Sequence, residues 1–210
     1  MGSFRIEAIG LSKSFSGPPL FENVSFLLER GVLAVTGRNG AGKTTLLKIL
    51  AGLASPTSGR VRIARDGHEL SLDERRSEVG WAGPDLFFYP ELTAEENLSF
   101  FRRAAGFPAA ADDLRNRLDA VGLRSPGPTI DHFSTGMKQR LRIAFARLLD
   151  PSVVLLDEPT SGLDAAGRGA VARFVEAASE RGPVVLAATD LGELPPPDRV
   201  LELGGVSGEQ

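Results

Sequence analysis

Gly37-Arg38-Asn39-Gly40-Ala41-Gly42-Lys43-Thr44 is a complete G-x-x-x-x-G-K-T stretch. The apolar segment Val32-Leu33-Ala34-Val35-Thr36 leads into it, and the helical run Thr45-Leu46-Leu47-Lys48-Ile49-Leu50 follows at once. A buried strand that turns into a helix through glycines lets successive backbone N–H groups face one centre, where they cradle phosphate oxygens. The positive end of the helix adds to that field. The spacing therefore predicts a nucleoside triphosphate site lined by Gly37, Arg38, Asn39, Gly40, Ala41, Gly42, Lys43, Thr44 and Thr45. Lys43 would reach the β- and γ-phosphates, and the Thr44 hydroxyl would hold Mg²⁺.

Composition narrows the rest. The chain has 210 residues, 42% hydrophobic and 24% charged, which suits one sizeable globular domain or one domain with an insertion. A net charge of −3 gives no electrostatic reason to expect nucleic acid or an anionic membrane as partner. Cysteine is absent, which removes disulfides, thiolate metal sites and thiol catalysis, and suits a cytosolic protein. No stretch approaches the roughly 20 apolar residues of a membrane span, and the N-terminus lacks a signal-peptide core. Any membrane role would come through a partner.

Short continuous apolar runs recur at Val32–Thr36, Val79–Ala82, Val153–Leu156, Val184–Ala188 and Val200–Leu203. Unbroken runs of this length predict parallel strands buried on both faces. With helical patterns between several of them, they predict an α/β core with right-handed crossovers. Phe4–Ile9, Val24–Leu28 and Gly59–Ile63 predict a small antiparallel sheet. Residues 85–149 instead hold three helical patterns with no strand between them: Ala94–Ala105, opened by the capping box Thr93-Ala94-Glu95-Glu96, then Ala111–Val121 and Gly136–Leu149. The expected layout is a single domain over residues 1–210, with a core at about 1–84 and 150–203 and a helical subdomain at about 85–149. The polar, Gly-rich tail 204–210 is expected to be flexible.

A second site signal is Val153-Val154-Leu155-Leu156-Asp157-Glu158, an apolar strand ending in two carboxylates. Strand alternation would turn Asp157 towards Mg²⁺ and Glu158 towards an attacking water as general base. Between the two motifs lies Phe133-Ser134-Thr135-Gly136-Met137-Lys138-Gln139-Arg140, in which Ser134 is placed to cap a helix whose Leu141, Ala144, Phe145 and Leu148 form one apolar face. With these motifs in this order, the chain from about residue 5 to 203 resembles the ATP-binding subunits of ABC transporters. Ser134-Thr135-Gly136-Met137 is similar to that family's signature loop, differing from its commonest form at Thr135 and Met137. Leu92-Thr93-Ala94-Glu95-Glu96-Asn97-Leu98 is similar to the start of the helical subdomain, especially in exporters and heme-export subunits. Ser161-Gly162-Leu163-Asp164 resembles the loop that joins two active sites across a dimer.

The resemblance implies a P-loop NTPase (RecA-like) core carrying an antiparallel β subdomain and an inserted α-helical one. It implies ATP and Mg²⁺ as ligands, Phe15 stacked on adenine, Ser134 and Gly136 contacting ATP held by an opposite subunit, and Asp164 near that contact. It further implies a homo- or heterodimer of such subunits, seated on the inner face of the cell membrane by an integral-membrane transporter subunit, with no nucleic acid involved. An exporter motor is the leading function, with heme export for cytochrome c maturation as one version. Leu86-Phe87-Phe88-Tyr89-Pro90 would then meet the membrane partner or pack the helical subdomain. Two positions depart from the family pattern. The usual glutamine at the join falls on Pro84, next to Asp85, and the usual switch histidine falls on Asp190 after Thr189. Both departures bear on the positioning of water and on transition-state charge, so slow hydrolysis is expected. A non-transport ATPase of the same family and an ATP-sensing assembly module remain alternatives.

Lys43→Ala is expected to abolish tight ATP binding, because it removes the cation that meets the phosphates. Unchanged affinity by calorimetry would overturn the site.

Overall fold

The computed structural model describes residues 2–192 and 194–204; the expected flexible tail lies, from residue 205 on, outside them. In chain order the elements are β1 (Phe4–Lys13), β2 (Phe21–Leu28), β3 (Gly31–Gly37), α1 (Lys43–Leu50), β4 (Ser58–Arg65), β5 (His68–Glu69), α2 (Leu72–Glu78), β6 (Val79–Ala82), α3 (Ala94–Ala104), α4 (Ala111–Ala120), α5 (Thr135–Ala146), β7 (Val153–Asp157), α6 (Ala165–Ser179), β8 (Pro183–Ala187) and β9 (Arg199–Leu203). Strands β2-β1-β4-β5 form an antiparallel sheet. Strands β6-β7-β8-β3-β9 form a parallel one. The fold is the mixed α/β arrangement of a P-loop NTPase with both sheets expected from the sequence.

Every residue of β7 and β8 is buried, which is why these strands appear in the sequence as unbroken apolar runs. Their side chains divide by alternation. Leu33, Val35, Val153, Leu155, Val185 and Ala187 pack towards α1 and the antiparallel sheet. Val32, Ala34, Val154, Leu156, Val184 and Leu186 pack towards α5, α6 and the helices between β6 and β7. The phosphate-cradle turn after β3 and the acids at the end of β7 therefore lie at the same C-terminal edge of the sheet, two strands apart.

Between β6 and β7 the chain runs through α3, α4, a short 3-10 turn at Ile130–His132 and α5. The capping box before α3 forms: Thr93 Oγ1 accepts from the Glu96 N–H, and Glu96 Oε2 accepts from the Thr93 N–H. Asn97, wholly buried, has a second task. Its Oδ1 accepts from Tyr89 N–H at 2.8 Å and its Nδ2 donates to the Tyr89 carbonyl at 3.0 Å, which pins the aromatic segment 86–90 to the first turn of α3. Phe88 then packs inward against Phe101 and Phe145, while Phe87 and Tyr89 point to solvent.

Three details differ from the sequence expectation. The α5 helix stops at Ala146 rather than Leu149, because Arg147, Leu148 and Asp150 switch to i−3 backbone bonds ahead of Pro151. The α2 helix carries no buried residue, so no apolar period marks it; the Ser71–Glu74 capping box sets its start. In α6, Gly167 and Gly169 interrupt the apolar pattern, but Asp164 caps the helix by accepting from the Gly167 N–H.

Strand β6, which carries the chain to Pro84, lies close against the end of α5. A Cβ on Gly80 would sit 2.0 Å from the Ala146 carbonyl oxygen and 2.6 Å from Pro151 Cγ. Gly80→Ala is therefore expected to destabilise the fold by at least the ~1–3 kcal/mol of an overpacked core. A lowered urea midpoint with unchanged slope would confirm this; an unshifted midpoint would refute the close approach.

Candidate functional site

The cradle turn forms a cleft of about 370 Å³ lined by Leu20, residues 38–45, Asp157 and Glu158. Gly42, in the left-handed region at φ +97°, caps α1, and a Cβ there would meet Leu20 at 2.7 Å. Lys43 is buried, and its ammonium donates to the Gly37 carbonyl at 2.9 Å and to Thr189 Oγ1 at 3.3 Å, with Glu158 Oε1 at 3.8 Å. Its charge is thus stored over the floor of the cradle on acceptors that phosphate oxygens can replace.

Thr44 Oγ1 donates to Asp157 Oδ2 at 2.6 Å, across 113 residues of chain. The other carboxylate oxygen of Asp157 is buried and has no hydrogen-bond partner. Burial pushes the Asp157 carboxyl above the usual carboxylate range, the Thr44 hydrogen bond opposes the shift, and the neighbouring Glu158 charge reinforces it. A threonine hydroxyl beside a carboxylate with a free buried oxygen suits a hard cation such as Mg²⁺. Among the described residues, no three acidic or histidine side chains form a metal cage. An ion here would take its remaining ligands from phosphate and water, as Mg²⁺ does.

Glu158 lies beyond β7, so strand alternation does not orient it as the sequence pattern suggested. Its backbone is left-handed at φ +46°, a conformation that costs a non-glycine residue roughly 1–2 kcal/mol. Its carboxylate is gripped by Thr189, whose Oγ1 donates to Oε1 at 2.7 Å and whose N–H donates to Oε2 at 3.3 Å. Thr189 is a site residue that the sequence pattern marks only as the neighbour of Asp190. The strand register brings it there: Asp157 pairs with Ala187 on the neighbouring parallel strand, so Glu158 and the segment that follows β8 leave the sheet side by side.

Asp190, one residue on, turns away. Its Oδ1 accepts from the Gly192 N–H at 2.8 Å, closing a local turn of the kind aspartate favours. Pro84 offers only its carbonyl, which accepts from Arg142 at 3.2 Å, and Asp85 pairs with Lys48 of α1 at 2.9 Å. Phe15 is 71% exposed on the loop after β1, with the Lys13 ammonium 4.8 Å from its ring centre. Its ring is therefore not part of the core and presents a free π-face.

Ser134 and Gly136 stand apart from the cradle. Ser134 Oγ caps α5 by accepting from Met137 N–H at 3.2 Å. Both residues line a separate cleft of about 800 Å³ with Gly162, Leu163 and Asp164, which shares no lining residue with the cradle. Asp164 pairs with Arg140 of α5, and the Gly167 N–H that it caps holds its carboxyl below the usual range.

A model of the ABC transporter family matches residues 21–161, more than half of the chain. The chain is 38% identical over 189 residues to the cytochrome c biogenesis ATP-binding export protein CcmA of Rhizobium meliloti (strain 1021), covering 88% of this chain and 90% of that protein. It is 33% identical to the probable multidrug ABC transporter ATP-binding protein YbhF of Escherichia coli (strain K12), covering 90% of this chain but only 33% of that protein. It thus spans about a third of YbhF and most of CcmA. A solved ATP-binding subunit of an ABC transporter superposes with a TM-score of 0.79 at 30% identity, covering 94% of this chain and 85% of that one.

The buried charge at Asp157 generates a test. A raised folded-state pKa means that this carboxyl favours the fold when protonated, and that the contribution is lost as pH rises through the raised value. At neutral pH, Asp157→Asn is expected to raise the melting temperature of the nucleotide-free protein by roughly 2–4 °C while abolishing the dependence of ATP binding on Mg²⁺. A lowered melting temperature would show that the charge is compensated.

Proposed function

The chain belongs to the ABC transporter family, and from that premise we propose that it is the ATP-binding and ATP-hydrolysing motor subunit of a membrane exporter. The observation that carries this reading is the pair of clefts. The cradle gathers Lys43, Thr44, Asp157 and Glu158, while Ser134 and Gly136 stand at a different cleft of the same chain. A second copy, or a related subunit, would bring its Ser134 loop over the first copy's cradle, so that two ATP molecules are enclosed between two chains.

In this reading, residues 37–45 hold the phosphates through backbone N–H groups, and Lys43 exchanges Gly37, Thr189 and Glu158 for phosphate oxygens. Phe15 offers its exposed face to adenine. Thr44 and Asp157 would hold Mg²⁺, which would supply positive charge against the phosphates. Glu158, oriented by Thr189, accepts a proton from water as the water oxygen bonds the γ-phosphorus. The bond from that phosphorus to the bridging oxygen breaks, and ADP and phosphate leave. With Pro84 and Asp190 where other members carry a glutamine and a histidine, two groups that steady this water are missing. Turnover is accordingly slow.

The membrane partner would dock on an apolar groove of about 560 Å³ lined by Leu53, Leu72, Trp81, Leu86, Phe101 and Phe145. Exposed Phe87 stands on the same loop as Leu86. No helix among the described residues is long and apolar enough to cross a membrane, so attachment to the inner face would run through that partner. The likeness to CcmA, by name a cytochrome c biogenesis export protein, is the one support for heme export in cytochrome c maturation as a version of this reading.

Glu158→Gln is expected to trap an ATP-bound dimer, because the proton acceptor is lost while Thr44 and Asp157 are intact. Size-exclusion chromatography with MgATP checks it. A species that binds ATP yet stays monomeric at high protein concentration would count against the two-chain site and favour the sensing module.

A further inference from the structure

Pro84, where the side chain expected at the join is missing, is the start of a connected path. Its carbonyl accepts from one terminal nitrogen of Arg142 at 3.2 Å, and the other terminal nitrogen donates to Gln139 Oε1 at 3.1 Å. Gln139, 6% exposed, donates in turn from Nε2 to the Glu158 carbonyl at 3.1 Å and the Pro159 carbonyl at 3.2 Å. The orientation of this amide is fixed: carbonyls lie on one side and a guanidinium on the other, so only one end can donate. Arg142 has no carboxylate partner among the described residues, and its Nε is buried without a hydrogen bond. Its cation is spent wholly on these two neutral oxygens.

We infer that Arg142 is a positioning residue that ties the turn at Pro84, through Gln139, to the backbone that carries Glu158. The inference rests on the ATPase reading above. Glu158 is the one strained residue of the catalytic loop, and both of its peptide groups are held from outside. Its N–H donates to the Ala187 carbonyl at 2.8 Å, and its carbonyl accepts from Gln139 at 3.1 Å as well as from the Ser161 N–H of its own turn at 3.1 Å. The far end of the path is equally constrained, since Asp85 is paired with Lys48 of α1. A guanidinium has a rigid fork that serves two acceptors at once, whereas an ammonium at the same place satisfies one of them well. A displacement of the join therefore reaches the Glu158 backbone through two rigid planar groups.

The chain carries its own reporter. Trp81 is its only tryptophan, and the indole lies so close over Gly83 that a Cβ there would be 2.1 Å from the ring. Indole fluorescence thus reads the turn that Arg142 holds. In the full chain, R142M is expected to lower kcat roughly 10-fold, because small misplacements of a catalytic group carry large rate costs. KM and the calorimetric affinity for MgATP should stay within about twofold, as befits a group that acts after binding. R142K should recover part of the rate. The change in Trp81 fluorescence on adding MgATP should fall by at least half in R142M. Q139L combined with R142M should be no slower than the worse single variant, since both cut one path.

A wild type that fails to bind MgATP overturns the nucleotide reading itself. A wild type that binds MgATP but shows no Trp81 response, or an R142M protein with unchanged kcat and fluorescence, overturns the relay alone. So do additive losses in the double variant, or affinity and kcat falling together.

Discussion

The hydrogen bond from Thr44 to Asp157 holds the site together. It joins the first turn of α1 to the end of β7, and it satisfies one oxygen of a carboxylate whose other oxygen is buried and unpartnered. Removing a carboxylate from water without full compensation is unfavourable, and the raised Asp157 pKa expresses that cost. The protein tolerates it because the surrounding strands are the best-buried part of the fold, with all of β7 and β8 enclosed. Burial stabilises the sheet, and the sheet holds one poorly solvated acid ready for a cation.

Around that bond the site is a closed ring of contacts among its own residues. Lys43 is occupied by Gly37, Thr189 and Glu158, and Glu158 by Thr189 and Lys43. Each contact is one that a phosphate or a water could replace. The geometry keeps Lys43 and Glu158 within 3.8 Å, a separation at which their attraction limits how far either strays.

Much of this was legible in the sequence, for identifiable reasons. The cradle is contiguous, and its chemistry is carried by local backbone turns, so eight residues sufficed to define it. The two capping boxes are likewise short-range, although only that of Thr93 stood beside an apolar pattern strong enough to mark a helix. Asn97 was visible as part of a family-like string, but its purpose, holding Tyr89 by both backbone groups, needed coordinates. Thr189 and Arg142 hid their roles for a different reason. Each acts on a residue that is distant in sequence, and neither type advertises chemistry from sequence alone. Glu158 lines the cradle, but its orientation does not come from strand alternation, because it lies one residue past the end of the strand, in a left-handed turn.

The two departures at Pro84 and Asp190 look alike in sequence and differ in structure. Asp190 is disengaged: its carboxylate closes a turn on Gly192, and an anion is thereby kept on local amide contact rather than aimed at the Glu158 carboxylate. Thr189 supplies the neutral donor next to it, which orients Glu158 without adding charge. Pro84 is engaged, but only through its carbonyl, so the link from the join to the catalytic loop survives as a backbone contact made by Arg142. A side chain at the join could act on water and phosphate directly. A carbonyl held by a guanidinium can act only on the shape of the loop. On the function proposed above, the physical division follows from those two facts: the chain would keep the means to bind and orient while lacking donors that stabilise charge as it develops, which would lower rate while sparing affinity.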